Sequence, residues 1–221
     1  MPKLKSAEIL NTAKKFYLNG DYESAKSTIL EGKSQLDPGL FHYNLGSIFL
    51  KMGKLGPARY NLEKAKQEGF SYPMLWKNLD FVKAQSQVMD PTKARTTQEV
   101  FLGKTLDLST SLVAIFSLLV TITLLFLVRR KQIRIAYAVG VFLMMAFLPL
   151  AGKIYINESY NYAIALETAR VYEGPSKIYP DYGELGEGSR VIVNRFHDNW
   201  YFIVSPKELS GWIERNQLGF Y

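Results

Sequence analysis

Two uncharged apolar runs, residues 109–128 and 135–152, lie back to back near the middle of the chain. Only Arg129, Arg130, Lys131, Gln132, Ile133 and Arg134 separate them. An apolar helix of about 20 residues rises about 30 Å, enough to cross a hydrocarbon core. The pattern therefore predicts two transmembrane helices, 109–128 and 135–152, joined by a basic turn, 129–134. A buried hairpin in a soluble core is the alternative, and uncharged runs of this length suit it poorly. Upstream the pattern is that of paired helices. Downstream of Lys153 the period shortens to that of strands.

The upstream part repeats itself. Ala13, Phe16, Gly20, Tyr22 and Ala25 recur 33 residues later as Gly46, Phe49, Gly53, Leu55 and Ala58. A small residue at 13 and 46 lets two helices approach closely, Gly20 and Gly53 close the turn between them, and Ala25 and Ala58 sit where the helices cross. Asp37-Pro38 closes the first copy, and a third helix begins at Pro73, which suits a first helical turn. These positions, with Tyr43-Asn44-Leu45-Gly46 and Gly53-Lys54-Leu55-Gly56-Pro57-Ala58, resemble the tetratricopeptide repeat, in which the third helix serves as the capping half-repeat that a solenoid end needs. Residues 6–88 are read as this domain.

In that register Asn11, Asn44 and Asn78 are equivalent, one on each first helix. An amide can donate to and accept from the backbone of an extended peptide, so these three, with Tyr43 and Lys77, form a candidate partner-binding groove. The alternative is that the amides are solvated or bond between helices. Repeats that clamp a carboxylate add a Lys and a second Asn in the first copy. Here those places hold Leu10 and Lys14, so that specificity is not implied.

Residues 89–107 read as a linker, with Asp90-Pro91 as a helix stop and the apolar triplet Val100-Phe101-Leu102 placed at the membrane interface. Ser109, Thr110, Ser111, Ser117, Thr121 and Thr123 in the first span bond either across to the partner helix or back to their own carbonyls.

Residues 158–221 read as a small closed β-barrel. Strands are expected at 163–166, 169–172, 189–195, 200–204 and up to Glu214, with a hairpin turn at Asp198-Asn199 and a Gly-rich loop at Gly183, Gly186 and Gly188. Val171, Gly174-Pro175-Ser176, Leu185-Gly186-Glu187-Gly188, Trp200 and Gly211-Trp212-Ile213 resemble the bacterial SH3-like domain. Exposed aromatics of that family can bind cell-wall peptides, which makes Tyr179, Tyr182 and Trp200 candidates; the competing reading is strand packing.

Charge sharpens the picture. Of the net +7, residues 1–107 carry 16 basic and 11 acidic side chains, 108–152 four basic and no acidic, and 153–221 seven basic and nine acidic. That spread gives no basic stripe for nucleic acid. By the positive-inside rule Arg129, Arg130, Lys131 and Arg134 keep the turn cytoplasmic, so both soluble segments are expected in the periplasm of a bacterial inner membrane. The Met1-Pro2-Lys3 start has no apolar stretch behind it, so no cleavable signal is expected.

Chemistry is sparse. There is no Cys, and His42 and His197, the only two histidines, have no neighbouring carboxylate pattern, so no catalytic site, metal site or cofactor is expected. The order of helical repeat, two spans with a basic turn and SH3-like domain resembles the E-type members of the Bacteroides aerotolerance (Bat) family. Lys77-Asn78-Leu79-Asp80-Phe81 adds to the segments quoted above. The resemblance implies a non-enzymatic adaptor or scaffold whose partners are membrane-anchored von Willebrand A-type Bat proteins and a MoxR-type ATPase. An anchor that holds peptidoglycan through the SH3-like domain is the alternative.

Overall fold

A computed structural model describes residues 2–85 and 96–221, apart from the side chains of residues 2–4, 182 and 195. The linker features Asp90-Pro91, Thr92, Lys93 and Arg95 lie outside the described residues. Five helices come first: α1 (Pro2–Leu18), α2 (Tyr22–Glu31), α3 (Pro38–Lys51), α4 (Leu55–Gln67) and α5 (Pro73–Gln85). Then follow α6 (Thr97–Asp107), α7 (Thr110–Arg129) and α8 (Ile135–Ser159). Seven strands end the chain: β1 (Asn161–Ala165), β2 (Ala169–Tyr172), β3 (Asp181–Leu185), β4 (Arg190–His197), β5 (Trp200–Ser205), β6 (Trp212–Glu214) and β7 (Leu218–Phe220).

The helical pairs form for the reasons the repeat suggests. Asp21 accepts from the Ser24 N–H at 3.1 Å and starts α2, while Asp37 accepts from the Leu40 N–H at 3.0 Å and starts α3 with Pro38 in its first turn. Gly20 and Gly53 close the two hairpins at φ +80° and +75°, a left-handed conformation that side chains disfavour. At Gly46 a Cβ would lie 2.7 Å from Leu62 Cγ, so only glycine permits the close crossing of α3 and α4. Ala13, Ala25 and Ile29 of the first pair pack with Phe41 and Leu45 of α3 in one core, and Ala58, Leu62, Leu75, Leu79 and Val82 of α4 and α5 form the next.

The strands make one antiparallel sheet in the order β3-β2-β6-β5-β4-β1-β7, with β3 and β7 at its two ends. Its core is Val171, Leu185, Val191, Val193, Ile203 and Ile213, all fully buried. The β4–β5 hairpin turns at Asp198 (φ +51°), as Asp-Asn predicts. Two strands differ from expectation. The segment read as a Gly-rich loop contains β3, which pairs with β2 from Ala169↔Leu185 to Tyr172↔Asp181, and β7 pairs with β1. Glycine inside a strand marks a close approach rather than a break: a Cβ on Gly183 would lie 2.5 Å from Leu209.

The helices α1–α5 and the sheet form one compact unit, although about 70 residues of chain lie between them; α6, α7 and α8 form a second unit. The joint within the first unit is α4. Its N-cap position holds Lys54, which makes no side-chain cap, and the Gly56 N–H instead donates to Glu187 Oε1 at 2.8 Å. A Cβ on Gly56 would fall 2.4 Å from the Leu166 carbonyl oxygen and 2.5 Å from that of Ala165, so the helix start touches the sheet backbone directly. Arg59, fully buried, donates through Nη1 to the Gly188 carbonyl at 2.8 Å and pairs with Glu63 at 4.0 Å. Ile164 lies opposite Gly219 on one sheet face, and the space a Cβ on Gly219 would take is filled by the Tyr60 ring of α4. Ile164 is therefore fully buried on the face of the sheet that meets α4 and outside the sheet's own core cluster, a burial worth about 2 kcal/mol for a side chain of its size.

In the second unit, α7 is 20 residues and α8 is 25, both long and apolar enough to cross a membrane. Helix α8 runs past the expected end at 152 to Ser159, about two further turns that mix Lys153, Asn157 and Glu158 with Ile154, Tyr155 and Ile156. One turn of π-helix, Leu143–Phe147, interrupts it just before Pro149, which has no N–H to give a preceding carbonyl. Both alternatives for the Ser and Thr residues of α7 occur. Ser117 crosses to the Ala146 carbonyl at 2.9 Å and Thr110 accepts from Asn157 at 2.9 Å, whereas Thr121 and Thr123 bond back to Ser117 and Leu119 of their own helix. The linker reading also needs correction: 97–107 is helix α6, started by the capping box Thr96/Glu99.

Candidate functional site

A cleft of about 860 Å³ opens across α1, α3 and α5, within the size range of ligand sites. Asn11, Tyr43, Asn44, Lys77 and Asn78 all line it, so the structure brings together every residue of the candidate groove. The reason is periodic. Each first helix turns the same three positions inward: Leu10, Asn11 and Lys14 on α1; Tyr43, Asn44 and Ser47 on α3; Lys77, Asn78 and Phe81 on α5. Positions i−1, i and i+3 share one helical face. The three asparagines with Tyr43 and Lys77 were singled out in the sequence, and the same register also points to Lys14, Ser47 and Phe81.

Two of the amides are partly committed. Asn44 Nδ2 donates to the Leu40 carbonyl at 2.7 Å, and Asn78 Nδ2 donates to Ser47 Oγ at 3.2 Å, which in turn donates to the Tyr43 carbonyl at 2.9 Å. An amide carries two N–H donors and one oxygen. Each therefore spends one donor on the fold and keeps a second donor and its acceptor. The cleft's electrostatics are one-sided: among the described residues Lys14, Lys51 and Lys77 line it and no Asp or Glu does. Tyr17, also in the lining, is held protonated to higher pH than usual, first by burial and then by Tyr22 and Tyr43. Its aromatic neighbours are built in: Tyr43 stacks on Phe70 with centroids 4.7 Å apart.

The sheet's candidate residues fare differently. Trp200 is buried, with Tyr172 packed edge-on at 5.4 Å, because β5 turns it toward the sheet's packing rather than to solvent. Trp200 is thus not the exposed aromatic expected from the sequence. Tyr179 is half exposed, and its ring covers Gly174, where a Cβ would lie 2.5 Å from it. The side chain of Tyr182 lies outside the described residues.

In the basic turn Arg129, Arg130, Lys131 and Arg134 are all exposed, and the Arg130 guanidinium lies 4.6 Å over the Phe126 ring. The two histidines stand apart: His42 Nδ1 meets Asn61 Oδ1 at 2.9 Å, where the Asn61 amide donates to the Pro57 carbonyl, and His197 lies at the β4–β5 turn beside Asp198. Among the described residues no group of three His, Cys, Asp or Glu is placed to hold a metal ion. Comparison of the chain with models of known families, with curated proteins and with solved structures finds no match.

Proposed function

We propose that this chain is a non-enzymatic adaptor of the bacterial inner membrane, built from tetratricopeptide-like repeats, a two-span hairpin and an SH3-like domain, and acting in a complex of the Bat and MoxR kind. The observation that carries the reading is the cleft. Five residues chosen by repeat register line one groove, with three lysines and no acid among its lining. Such a groove suits an extended acidic segment of a partner: amides meet its backbone and ammonium groups its carboxylates. A von Willebrand A-type Bat protein is the partner the family resemblance implies.

The two spans follow from the apolar side chains that α7 and α8 leave exposed, among them Leu112, Ile115, Leu119, Leu125 and Met144. In water these would form an apolar patch far larger than soluble proteins tolerate; in lipid they are solvated. Helices α1–α5 and the sheet flank the hairpin in sequence yet pack as one unit, which supports placing both on the same side of the bilayer. An even number of spans satisfies that, and the basic turn then occupies the opposite, cytoplasmic side.

The test is co-purification of the von Willebrand A-type partner with two variants. Asn44→Ala with Asn78→Ala removes the free amide groups, and Lys14→Glu with Lys77→Glu reverses exposed charge without touching a buried contact. Loss of the partner from both, with thermal unfolding unchanged in the charge variant, supports the groove. Undiminished co-purification by both contradicts it.

A further inference from the structure

Helix α6 has features that neither the groove nor the spans account for. At 11 residues it rises about 16 Å, too short to cross a bilayer. Yet both its ends have their backbone groups satisfied by side chains. At the start, Thr96 Oγ1 accepts from the Glu99 N–H, and the Glu99 carboxylate, itself buried, accepts from the Thr96 N–H at 3.2 Å and from its hydroxyl at 2.7 Å. At the end, the ammonium of Lys153, buried in α8, donates to the carbonyls of Thr105 and Leu106. Side-chain caps also start α2 and α3; what sets α6 apart is that its second cap comes from a buried lysine of α8, the second apolar helix.

The side chains divide to match. Glu99, Leu102, Thr105 and Leu106 face inward, with α6 packed along the polar last part of α8. Val100 and Phe101 are exposed on the other side of the helix, Phe101 to 65%, beside Thr97, Lys104 and Asp107, and Leu108 is exposed at its C-cap. The chain leads from there directly into the first apolar helix: Leu108 stands two residues before α7, whose Leu112, Ile115 and Phe116 are likewise exposed.

We infer that α6 is an interfacial anchor whose occupant is the lipid surface itself. Phe101, Val100 and Leu108 enter the boundary between headgroups and acyl chains, and Lys104 extends its stem along that apolar surface to reach lipid phosphates. Lys153 fixes the helix to the end of the second span, so the anchor and the hairpin enter the bilayer as one piece. This rests on the membrane-spanning reading above, and its test separates the two.

The chain has no cysteine, so single nitroxide labels can be placed without background. The full-length protein, reconstituted in phosphatidylcholine–phosphatidylglycerol vesicles, is labelled at Phe101→Cys, Leu108→Cys, Leu119→Cys in α7 and Asp198→Cys at the β4–β5 turn. Collision with oxygen, which partitions into lipid, is compared with collision with a water-soluble nickel chelate. The expected result is an oxygen-to-nickel ratio several-fold higher at 101 and 108 than at 198, and below that at 119. Phe101 and Leu108 labels as open to nickel as 198, with 119 still shielded, overturn the anchor and leave the spans standing. Labels at 101 and 108 closed to both reagents overturn it in favour of a protein partner. A 119 label open to nickel overturns the spanning reading and the anchor with it.

Discussion

Helices α2 and α4 occupy equivalent places in the repeat, and they end up in opposite surroundings. Position 21 is Asp and caps its own helix through Ser24; its equivalent, 33 residues on, is Lys54, which makes no cap, and Glu187 of the sheet supplies the acceptor instead. Position 26 is Lys, paired at the surface with Glu23; its equivalent Arg59 is fully buried and donates to the Gly188 carbonyl. Position 23 is Glu, and its equivalent is Gly56, where the helix meets sheet backbone. What the two copies share builds the hairpin. Where the second departs from the first, it has become an interface.

The departures set the expected costs. Arg59→Ala leaves the Gly188 carbonyl and the buried Glu63 without their cation, and should lower the stability of the first unit by about 3 kcal/mol. Lys26→Ala, at the equivalent half-buried position whose partner is the exposed Glu23, should change it by less than about 1 kcal/mol. Chemical denaturation of the full chain in detergent, followed by Trp fluorescence, measures both, and equal effects would remove the distinction between the two copies. Next in size, Gly56→Ala forces a methyl group against two carbonyl oxygens and should cost about 2 kcal/mol, with the sheet and helices losing their shared unfolding transition. Glu187→Ala, which uncaps α4, should cost about 1 kcal/mol.

The smallest effect is that of pH on the self-capped copy. Hydrogen bonds from Ser24, its side chain first and then its backbone N–H, hold the Asp21 carboxyl below the usual carboxylate range. Its pKa is lower folded than unfolded, so its stabilisation is present above the unfolded value of about 4 and is lost as pH falls through the folded one. The stability difference between wild type and Asp21→Asn should therefore be constant from neutral pH down to about 4 and shrink below it. No such acid-dependent difference is expected for Lys54→Asn.

Much of this was legible in the sequence, and what was not has physical reasons. Small residues at a fixed 33-residue spacing located the helical pairs, and the left-handed glycines at 20 and 53 stand where the turns were expected. The groove was legible because a repeat fixes which helical face looks inward. Helix α6 was written in the Thr96/Glu99 capping box, but the Asp90-Pro91 stop drew attention to a linker instead. Strand β3 was missed because three glycines suggest a loop, although Gly183 serves close packing within a strand. Trp200 could not be assigned to solvent or core without the register of β5. The contact of Arg59 and Gly56 with Gly188 and Glu187 joins residues 129 and 131 positions apart, and no local pattern encodes it. The only trace is that the second repeat spoils positions the first keeps.

Segments at the two ends of the apolar hairpin form a single body, which the proposed two spans would leave on one side of the bilayer. Single-cysteine variants Lys54→Cys, Gln132→Cys and Asp198→Cys, labelled in intact cells with a membrane-impermeant maleimide, test it directly. Positions 54 and 198 should react from the same side and 132 only after the membrane is opened. Labelling of 54 and 198 from opposite sides would contradict the account, because the buried Arg59–Gly188 contact cannot span a bilayer.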